Sequence, residues 1–543
     1  MIILGLDGAT FDLIRPWAEA GYLPTLRDLI QRGVSGNLAS TLPPLTAIAW
    51  PSFMTGKKPG KHGVFDFFRS ITDELMFVNA SQIDGRWWCE DLSDTGLSVG
   101  LLNVPLTHPP RSINGYIIPG TPTPDEGHTT SPRDLLSAYE RELGRYRLSP
   151  RFVYRAGRDA EYSADLHDLI DLQTRYALRL MAERPTDVLM LHFLATDSAQ
   201  HALWKHHDKT HPLYRPEQAA RYGTLLRDIF AHIDRSIAQI LKQAGADTNV
   251  IVMSDHGFGP LHRTLNLNNY FRTQGLLTLK SNCGTRLREW AFRHDLDLAL
   301  PWKILRRIGL SHRLGAVSRA TREWSQRKML TFADVDWSRT VAYAWGHFGQ
   351  VYLNRKGREP HGSVEPHEYL AVRDQVTSVL HALRDPINNQ PLVDAVLPRE
   401  AAGHGPHLDD GPDLHVIMDG YRTVAYPLFA ADARLFARRV PDDSGTHRAA
   451  GIFIACGPDV AQGRIIEGAQ LIDLAPTILH LLGTPIPTDY DGRVLSEALS
   501  PEIAATPIVY RGGDVSAARA EVTFSGDEQR SVEERLQMLG YLG

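Results

Sequence analysis

Cysteine is scarce in this sequence, and the placement of its three copies excludes two classes of protein. Cys89, Cys283 and Cys456 are far apart, odd in number and in no CxxC pair. A disulfide-stapled secreted domain needs a dense and even set of cysteines, and a zinc ribbon needs close CxxC pairs. The cysteines therefore predict a reducing compartment, with neither a disulfide framework nor a zinc ribbon.

Long apolar runs and an excess of basic charge are also missing. No apolar run reaches the roughly 18 residues of a membrane-spanning helix, and the N-terminus lacks the basic region and cleavage site of a signal peptide. We therefore expect a cytoplasmic protein without a membrane span. The net charge is -5, whereas a nucleic-acid binder needs many unpaired cations, so no nucleic-acid polymer is expected as a partner.

The remaining composition is that of an ordinary folded protein. Apolar residues make up 43% of the chain and charged residues 22%. Short apolar runs alternate with longer helical patterns, which predicts an α/β fold whose largely parallel sheet is flanked by helices. The predicted strands are residues 2–7, 98–104, 188–194, 249–254, 414–418 and 451–455. The predicted helices include residues 24–31, 165–182, 218–243 and 471–482.

Two segments depart from this alternation. Residues 284–328 carry Arg and Trp at helical spacing without a strand-like run, which predicts a helical cap inserted into the core. The arginines there form either a solvated face or a lid for an anionic substrate. After residue 499 the chain turns polar and ends in a short amphipathic helix. The 543 residues are thus predicted to divide into a core over 1–283 and 329–499, a cap over 284–328 and a tail over 500–543.

Three strand-like runs each lead into an aspartate, namely Asp7, Asp197 and Asp255. In open α/β sheets, ligands bind outside the carboxyl ends of the strands, so three carboxylates placed there would converge on one crevice. Any one of them taken alone is better explained as a turn or helix-cap residue. Their coincidence predicts a shared site.

Histidines accompany two of these aspartates. His201 lies four residues after Asp197, so both share one helix face if a helix begins after the strand. His256 follows Asp255 directly, and Gly257 permits a turn on which both side chains face the crevice. Mixed imidazole and carboxylate ligands favour zinc or manganese over calcium. The pattern predicts a metal site at the strand ends.

Residues 40–56 are dense in hydroxyl groups and turn formers, and Thr46 is the candidate nucleophile among them. A hydroxyl attacks phosphorus only when it is deprotonated, and coordination to a metal ion is one way to lower its pKa. If Ala47 begins a helix, the backbone N–H groups at that end face a transferred phosphoryl group. Spacing alone leaves a second interpretation equally open, in which Thr46 only caps the helix.

Several motifs occur together along the chain: Leu-Asp7-Gly, Thr46 nine residues before Thr55-Gly56, Pro59-Gly-Lys-His62-Gly, Asp197 with His201, Ser254-Asp-His-Gly257 and Gly445-Thr-His447. Jointly they resemble the alkaline phosphatase superfamily. They are most similar to its type I phosphodiesterase and nucleotide pyrophosphatase branch, and to the predicted phosphohydrolases or phosphomutases beside it. The resemblance implies an alkaline-phosphatase-like three-layer α/β/α sandwich with a mostly parallel sheet. It also implies a hydrolase acting on a small-molecule phosphate ester.

The resemblance further implies two divalent metal ions, zinc in preference to manganese. One ion would be held by Asp197, His201 and His447, and the other by Asp7, Thr46, Asp255 and His256. His447 enters the ligand set only through the resemblance, being one of 23 histidines. His62 matches the family as a structural residue and not as a ligand. The implied mechanism has Thr46 attack phosphorus to give a phosphothreonine, which water then hydrolyses.

One position departs from the nucleotide pyrophosphatase pattern. Where that pattern has an asparagine that binds phosphoryl oxygens, five residues after His62, this sequence has Phe67. A phenyl ring cannot donate that hydrogen bond, and losing one such donor typically costs about 3 kcal/mol of transition-state stabilisation. Lys57, Lys58 and Arg69 are the nearby candidates to replace it, although each also fits a charged surface turn. Nucleotide specificity is therefore not inferred.

Other activities on the same scaffold stay open. A sulfatase needs a Cys or Ser nucleophile followed by Pro and Arg, which residues 46–50 do not offer. Cofactor-independent phosphoglycerate mutases use serine and a large inserted domain, for which the insertion here is too short. Phosphomonoesterase, phosphomutase and phosphonate hydrolase activities remain alternatives, as does a metal-binding protein without turnover.

Overall fold

The computed structural model describes residues 1–69, 76–124, 129–293, 331–346, 348–425, 435–436, 443–513 and 521–538. Most of the predicted cap lies outside these residues, which include only its first part. No helix within the described ranges is long and apolar enough to cross a membrane.

The described strands and helices alternate along most of the chain. The strands are β1 (Ile2–Leu6), β2 (Val34–Ala39), β3 (Phe68–Arg69), β4 (Met76–Phe77), β5 (Val99–Leu102), β6 (Gly115–Ile118), β7 (Val188–Phe193), β8 (Val250–Met253), β9 (Gly257–Pro260), β10 (Arg263–Leu265), β11 (Ala342–Ala344), β12 (Gln350–Leu353), β13 (Val393–Pro398), β14 (Leu414–Met418), β15 (Thr423–Ala425), β16 (Gly445–Arg448), β17 (Ala450–Cys456), β18 (Arg464–Ile465), β19 (Ala469–Gln470), β20 (Ile486–Pro487) and β21 (Tyr510–Arg511). The helices are α1 (Phe11–Glu19), α2 (Pro24–Arg32), α3 (Thr46–Thr55), α4 (Pro59–His62), α5 (Trp88–Asp94), α6 (Ser137–Leu143), α7 (Asp159–Glu183), α8 (Ala195–His207), α9 (Pro216–Tyr222), α10 (Leu225–Ala244), α11 (Leu267–Thr273), α12 (Cys283–Arg293), α13 (Tyr369–His381), α14 (Leu474–Leu481), α15 (Pro501–Ala505) and α16 (Gly526–Met538).

A nine-stranded sheet forms the centre of the fold. Its order is β18-β2-β17-β8-β1-β7-β5-β6, and β19 also pairs with β2. The neighbours β8, β1, β7, β5 and β6 run parallel, whereas β17 is antiparallel to both β2 and β8. The predicted α/β class with a mostly parallel sheet is confirmed.

Hydrophobic residues cover both faces of this sheet. In β1 the side chain of Ile3 joins one core cluster with Trp50 and Phe53 of α3, while Leu4 joins another with Phe230 of α10. Successive side chains of a strand point to opposite faces, so the alternation along β1 serves two cores. Helices therefore pack on both faces, which gives three layers.

Two predicted elements differ from the structure, one in the sheet to which it belongs and one in its length. Residues 414–418 do form a strand, but β14 belongs to a separate four-stranded antiparallel sheet of order β11-β12-β14-β13. The helix predicted over 218–243 is two helices, α9 and α10, which are separated at Gly223 and Thr224. Glycine is a poor helix former, which explains a break there. Strand partners in turn depend on distant segments that a local pattern does not report.

Candidate metal centre and nucleophile

The register of the central sheet brings the three predicted aspartates to one edge. Leu6 of β1 pairs with Phe193 of β7, and Gly5 pairs with Met253 of β8, so the carboxyl ends of these strands lie side by side. Asp7 and Asp255 follow their strands closely, whereas Asp197 is the third residue of α8 and not a strand-end residue. All three carboxylates are fully buried.

Asp197, His201 and His447 form one group of candidate ligands. The Nε2 atoms of His201 and His447 each lie 3.4 Å from Asp197 Oδ1, and the two Nε2 atoms are 3.1 Å apart. Asp197 and His201 share a face of α8, as their spacing predicted. Three ligand residues from two elements thus meet around one small volume.

A β-ribbon delivers His447 to this group. His447 lies in β16, which pairs antiparallel with β9, and its Cα partner is Phe258. The ring Nδ1 lies 2.9 Å from the carbonyl oxygen of Pro44 and donates to it, because a carbonyl can only accept. The proton is then on Nδ1, and the lone pair of Nε2 faces Asp197. Fixing the outer ring nitrogen in this way is how proteins orient metal-binding imidazoles.

Asp7, Asp255, His256 and Thr46 form the second group. His256 Nε2 lies 3.1 Å from Thr46 Oγ1, 3.5 Å from Asp7 Oδ1 and 3.3 Å from Asp255 Oδ2. His256 Nδ1 donates to the carbonyl oxygen of Gly257 at 3.0 Å, so its Nε2 also carries the lone pair. The bend after β8 falls at Asp255 and His256, directly before β9 begins at Gly257, and it leaves both side chains facing the same crevice.

The two groups are in contact through their imidazoles. The rings of His256 and His447 stack with centroids 3.6 Å apart and planes 14° from parallel. Ligand atoms of Asp197, His256 and His447 lie within 4.8 Å of one another, and so do those of Asp7, Asp255 and His256. The structure thus brings all seven predicted site residues together, and it places His256 within reach of both groups.

The negative charge of the buried carboxylates in this site favours the binding of cations. Among the described residues, the buried oxygens Asp7 Oδ1, Asp197 Oδ2 and Asp255 Oδ2 have no hydrogen-bond partner. Burial raises the pKa of Asp7 well above its usual range, and the nearby Asp255 and Asp197 raise it further. A buried carboxylate is costly unless it is paired or bound to a metal ion. The donor set and its unsatisfied oxygens therefore fit divalent ions.

The two histidines of the first group have opposite pKa shifts. Burial lowers the pKa of His201, but attraction by Asp197 and Asp443 outweighs it and raises the pKa to about 9. Burial and the neighbouring His256 lower the pKa of His447 to about 3. His447 is therefore neutral and ready to act as a ligand, whereas His201 must lose a proton before it can bind a cation.

Thr46 is the first residue of α3, and Leu45 holds the cap position. The helix begins one residue earlier than the sequence predicts, so the interpretation of Thr46 as a cap is wrong. Its hydroxyl instead contacts His256, and the side chain is buried. The N-terminus of α3 therefore faces the ligand groups, where its backbone dipoles favour an anion.

His192 is a site residue that sequence reasoning missed. It lies in β7, and its Nε2 donates to Asp7 Oδ2 at 2.8 Å. Burial lowers the pKa of His192 to about 4, so the ring is neutral and acts as a hydrogen-bond donor. A single histidine in the otherwise apolar strand Val-Leu-Met-Leu-His192-Phe was the available signal, because such a residue needs a polar partner when buried.

Two of the residues considered as extra phosphate donors pair with carboxylates. Lys57 forms an ion pair with Asp489, and Arg69 Nη1 lies 3.8 Å from Glu521. Phe67 is buried in the hydrophobic core. The backbone N–H of Lys58 donates to Asp491.

His62 contacts α3, the helix that begins with Thr46. Its Nδ1 accepts from the backbone N–H of Val64 at 3.2 Å, so its Nε2 carries the proton and donates to Ser52 Oγ at 2.8 Å. Ser52 belongs to α3. These contacts suit the structural role that the resemblance implies for His62.

Comparison with known proteins adds a family assignment. Residues 1–428 match the family described as type I phosphodiesterase / nucleotide pyrophosphatase. This stretch contains every predicted site residue except His447. A comparison with curated protein sequences gives no match.

The solved structures that this chain matches include the following two. Human ectonucleotide pyrophosphatase / phosphodiesterase 5 is 13% identical, with a TM-score of 0.49 over 92% of this chain and 99% of that one. Phosphonoacetate hydrolase from Sinorhizobium meliloti 1021, solved in complex with phosphonoformate, is 13% identical, with a TM-score of 0.49 over 87% of this chain and 93% of that one.

Proposed function

Since this chain belongs to the type I phosphodiesterase / nucleotide pyrophosphatase family and is a hydrolase of phosphoester bonds, we propose that it works through a phosphothreonine on Thr46. The observation that carries this proposal is the position of the Thr46 hydroxyl. It lies at the buried N-terminus of α3 and faces carboxylate and imidazole ligands drawn from separate elements.

The metal part of the proposal assigns two divalent ions to the site, zinc in preference to manganese. One is assigned to Asp197, His201 and His447, and the other to Asp7, Thr46, Asp255 and His256. When bound, the ions would neutralise charge on the phosphoryl and leaving-group oxygens and lower the pKa of the attacking hydroxyl. Imidazole and carboxylate ligands together suit these metals.

The protein groups act in two displacements. In the first, Thr46 Oγ1 forms a bond to phosphorus and the bond from phosphorus to the leaving oxygen breaks, while the proton of the Thr46 hydroxyl is transferred to the leaving oxygen. In the second, water attacks the phosphothreonine, the bond from phosphorus to Oγ1 breaks, and Thr46 regains a proton. The backbone N–H groups at the start of α3 stabilise the transferred phosphoryl group in both steps.

The wall of the site supports catalysis by excluding water. The phenyl rings of Phe258 and Phe348 lie 5.4 Å and 5.3 Å from the ring of His447, and both side chains are buried. An apolar boundary lowers the local dielectric and strengthens the electrostatic stabilisation of the transferred group. Phe67 stands where the nucleotide pyrophosphatase pattern has an asparagine donor, so we propose a phosphate ester as substrate and not specifically a nucleotide.

Thr46→Ala and Thr46→Ser variants test the nucleophile. The alanine variant should lose nearly all hydrolysis of bis(p-nitrophenyl) phosphate while it keeps its fold and bound metal. The serine variant should retain measurable turnover, because it keeps a hydroxyl. Mass spectrometry of acid-quenched wild-type enzyme should find the phosphoryl group on Thr46. Full turnover by the alanine variant would refute the assignment.

A substrate panel tests the reaction class. Phosphodiesters, phosphomonoesters, phosphonates and sulfate esters would be ranked by kcat/KM. We expect a phosphodiester to rank first. A phosphonate or monoester in first place would instead identify one of the alternative activities, and no turnover of any substrate by metal-loaded protein would point to a binding protein.

A further inference from the structure

A second cluster of histidines lies away from this site, where α7 packs against α10. Each helix carries a histidine and an aspartate four residues apart: His167 and Asp171 on α7, and Asp228 and His232 on α10. Residues at this spacing lie on the same face of a helix. The two faces meet, so the cluster bridges the helices.

The two imidazoles of this cluster point at each other. His167 Nδ1 and His232 Nδ1 are 2.6 Å apart, and the ring centroids are 4.9 Å apart. His232 Nε2 lies 2.8 Å from Asp171 Oδ1 and donates to it, because an ionised carboxylate only accepts. The Nδ1 lone pair of His232 therefore faces His167.

The electrostatic surroundings favour the neutral form of His167, in which the Nδ1 atoms of His167 and His232 can bind a cation. Burial lowers the pKa of His167, and the neighbouring His232 and Arg235 lower it further. The carboxylates of Asp228 and Asp171 act on His167 in the opposite direction and add negative charge. The cluster also opens to solvent, since the side chain of Asp171 is 62% exposed and that of His232 is 14% exposed.

The phosphoester site contains a similar pair of imidazoles, with Asp197 Oδ1 3.4 Å from both as a further ligand. There, His201 Nε2 and His447 Nε2 face each other at 3.1 Å, and the outer nitrogen of His447 is bound to a carbonyl oxygen. In both places two imidazole nitrogens converge and an outer nitrogen is held by an oxygen acceptor. A carboxylate behind a histidine fixes its tautomer and raises its basicity as a ligand.

We propose that His167 and His232 form a separate binding site for a divalent transition-metal ion such as Zn²⁺. Both ligands are Nδ1 atoms, Asp171 orients His232, and water molecules complete the shell. Two imidazole nitrogens on one zinc ion lie about 2.9 to 3.4 Å apart, so the rings must separate slightly from 2.6 Å. The proton on His167 Nδ1 moves to Nε2 of the same ring, which frees the Nδ1 lone pair for the ion.

An ion there would cross-link two helices of the core. Both α7 and α10 pack against α8, which carries Asp197 and His201. An ion that binds only the folded protein stabilises it by mass action. The site is therefore structural, and it takes no part in the reaction at Thr46.

Metal content and thermal stability test the site. Full-length protein would be stripped with a chelator, loaded with Zn²⁺ and dialysed, and the zinc bound per chain measured for wild type, His167→Gln, His232→Gln and a matched control, His381→Gln. His381 is an exposed histidine at the end of α13. We expect each cluster variant to lose one equivalent of zinc and part of the zinc-induced rise in Tm, and the control to lose neither.

Hydrolytic activity separates this proposal from the proposed function. The cluster variants should hydrolyse bis(p-nitrophenyl) phosphate at the wild-type rate, which also shows that they fold. Unchanged zinc content in both variants would overturn the inference and identify the pair as a simple N–H···N hydrogen bond. Loss of activity without loss of an equivalent of zinc would overturn it equally.

Discussion

His192 Nε2 donates a hydrogen bond to Asp7 Oδ2 at 2.8 Å, with both side chains buried. This contact leaves only one oxygen of Asp7, Oδ1, directed at His256. Thr196 Oγ1 adds a bond to the backbone carbonyl of Asp7 at 2.6 Å. The carboxylate is therefore held in one orientation before any ion arrives, which lowers the entropic cost of binding it.

His192→Ala should weaken metal binding because Asp7 would lose the side-chain donor that holds its Oδ2 atom. Removing an outer partner of a metal ligand typically costs 10- to 100-fold in affinity. His192→Gln keeps an N–H donor and should lose less. Zinc titration against a competing chelator measures both affinities. Equal affinity in wild type and the alanine variant would show that Asp7 needs no such support.

Gly5 lets this histidine fit, and Gly5→Ala should destabilise the protein. A methyl group at Gly5 would lie 2.9 Å from the ring of Trp50 and 3.4 Å from His192. Trp50 is fully buried and cannot move aside freely. Overpacking of this kind costs about 1 to 3 kcal/mol. Urea denaturation measures the loss. Gly512→Ala is the control, because no atom lies within 4 Å of its added methyl group.

The parallel strands and the strand-end ligands were predictable from the sequence because both follow local rules. The apolar runs before Asp7 and Asp255 specify strands, and parallel strands share one carboxyl edge. The i,i+4 spacing of Asp197 and His201 likewise carries its geometry with it. The structure brings together the ligands that these local rules predict.

Partners that come from distant segments were not predictable in this way. His447 reaches the site on β16, which pairs with β9 nearly 190 residues earlier in the chain. His192 matters only because β7 lies beside β1 in the correct register. A lone histidine in an apolar strand signals a buried polar contact but does not identify its partner, so His192 was missed, and His447 needed the family resemblance.

Asp66 should make stability depend on pH. Burial raises the pKa of Asp66 to about 7, although its carboxylate accepts from Phe67 N–H and Gln350 Nε2. The folded protein then holds a proton that the unfolded chain, with a pKa near 3.8, has lost. The contribution of Asp66 to stability is greatest below pH 4 and falls as pH rises to about 7, by up to about 1.4 kcal/mol per pH unit.

Asp66→Asn isolates this effect because the amide does not titrate over that range. The variant should match wild type near pH 4 and be more stable than wild type at pH 8. Comparing the two proteins cancels the titration of the metal ligands, which both share. Thermal or urea unfolding from pH 4 to 8.5 gives the difference. A constant difference across that range would contradict the raised pKa.

His256 should be the ligand whose loss costs the most metal. Its Nε2 lies within 4.8 Å of ligand atoms in both groups, whereas His447 belongs to only one of them. His447→Ala should therefore release about one of the two catalytic-site ions, and His256→Ala should release nearly both. His415→Leu is a suitable control, because this buried histidine lies in β14 and has no hydrogen-bond partner among the described residues. Metal analysis after dialysis measures the number of ions that each variant retains. Equal retention by the His256 and His447 variants would mean that the two ions are held independently.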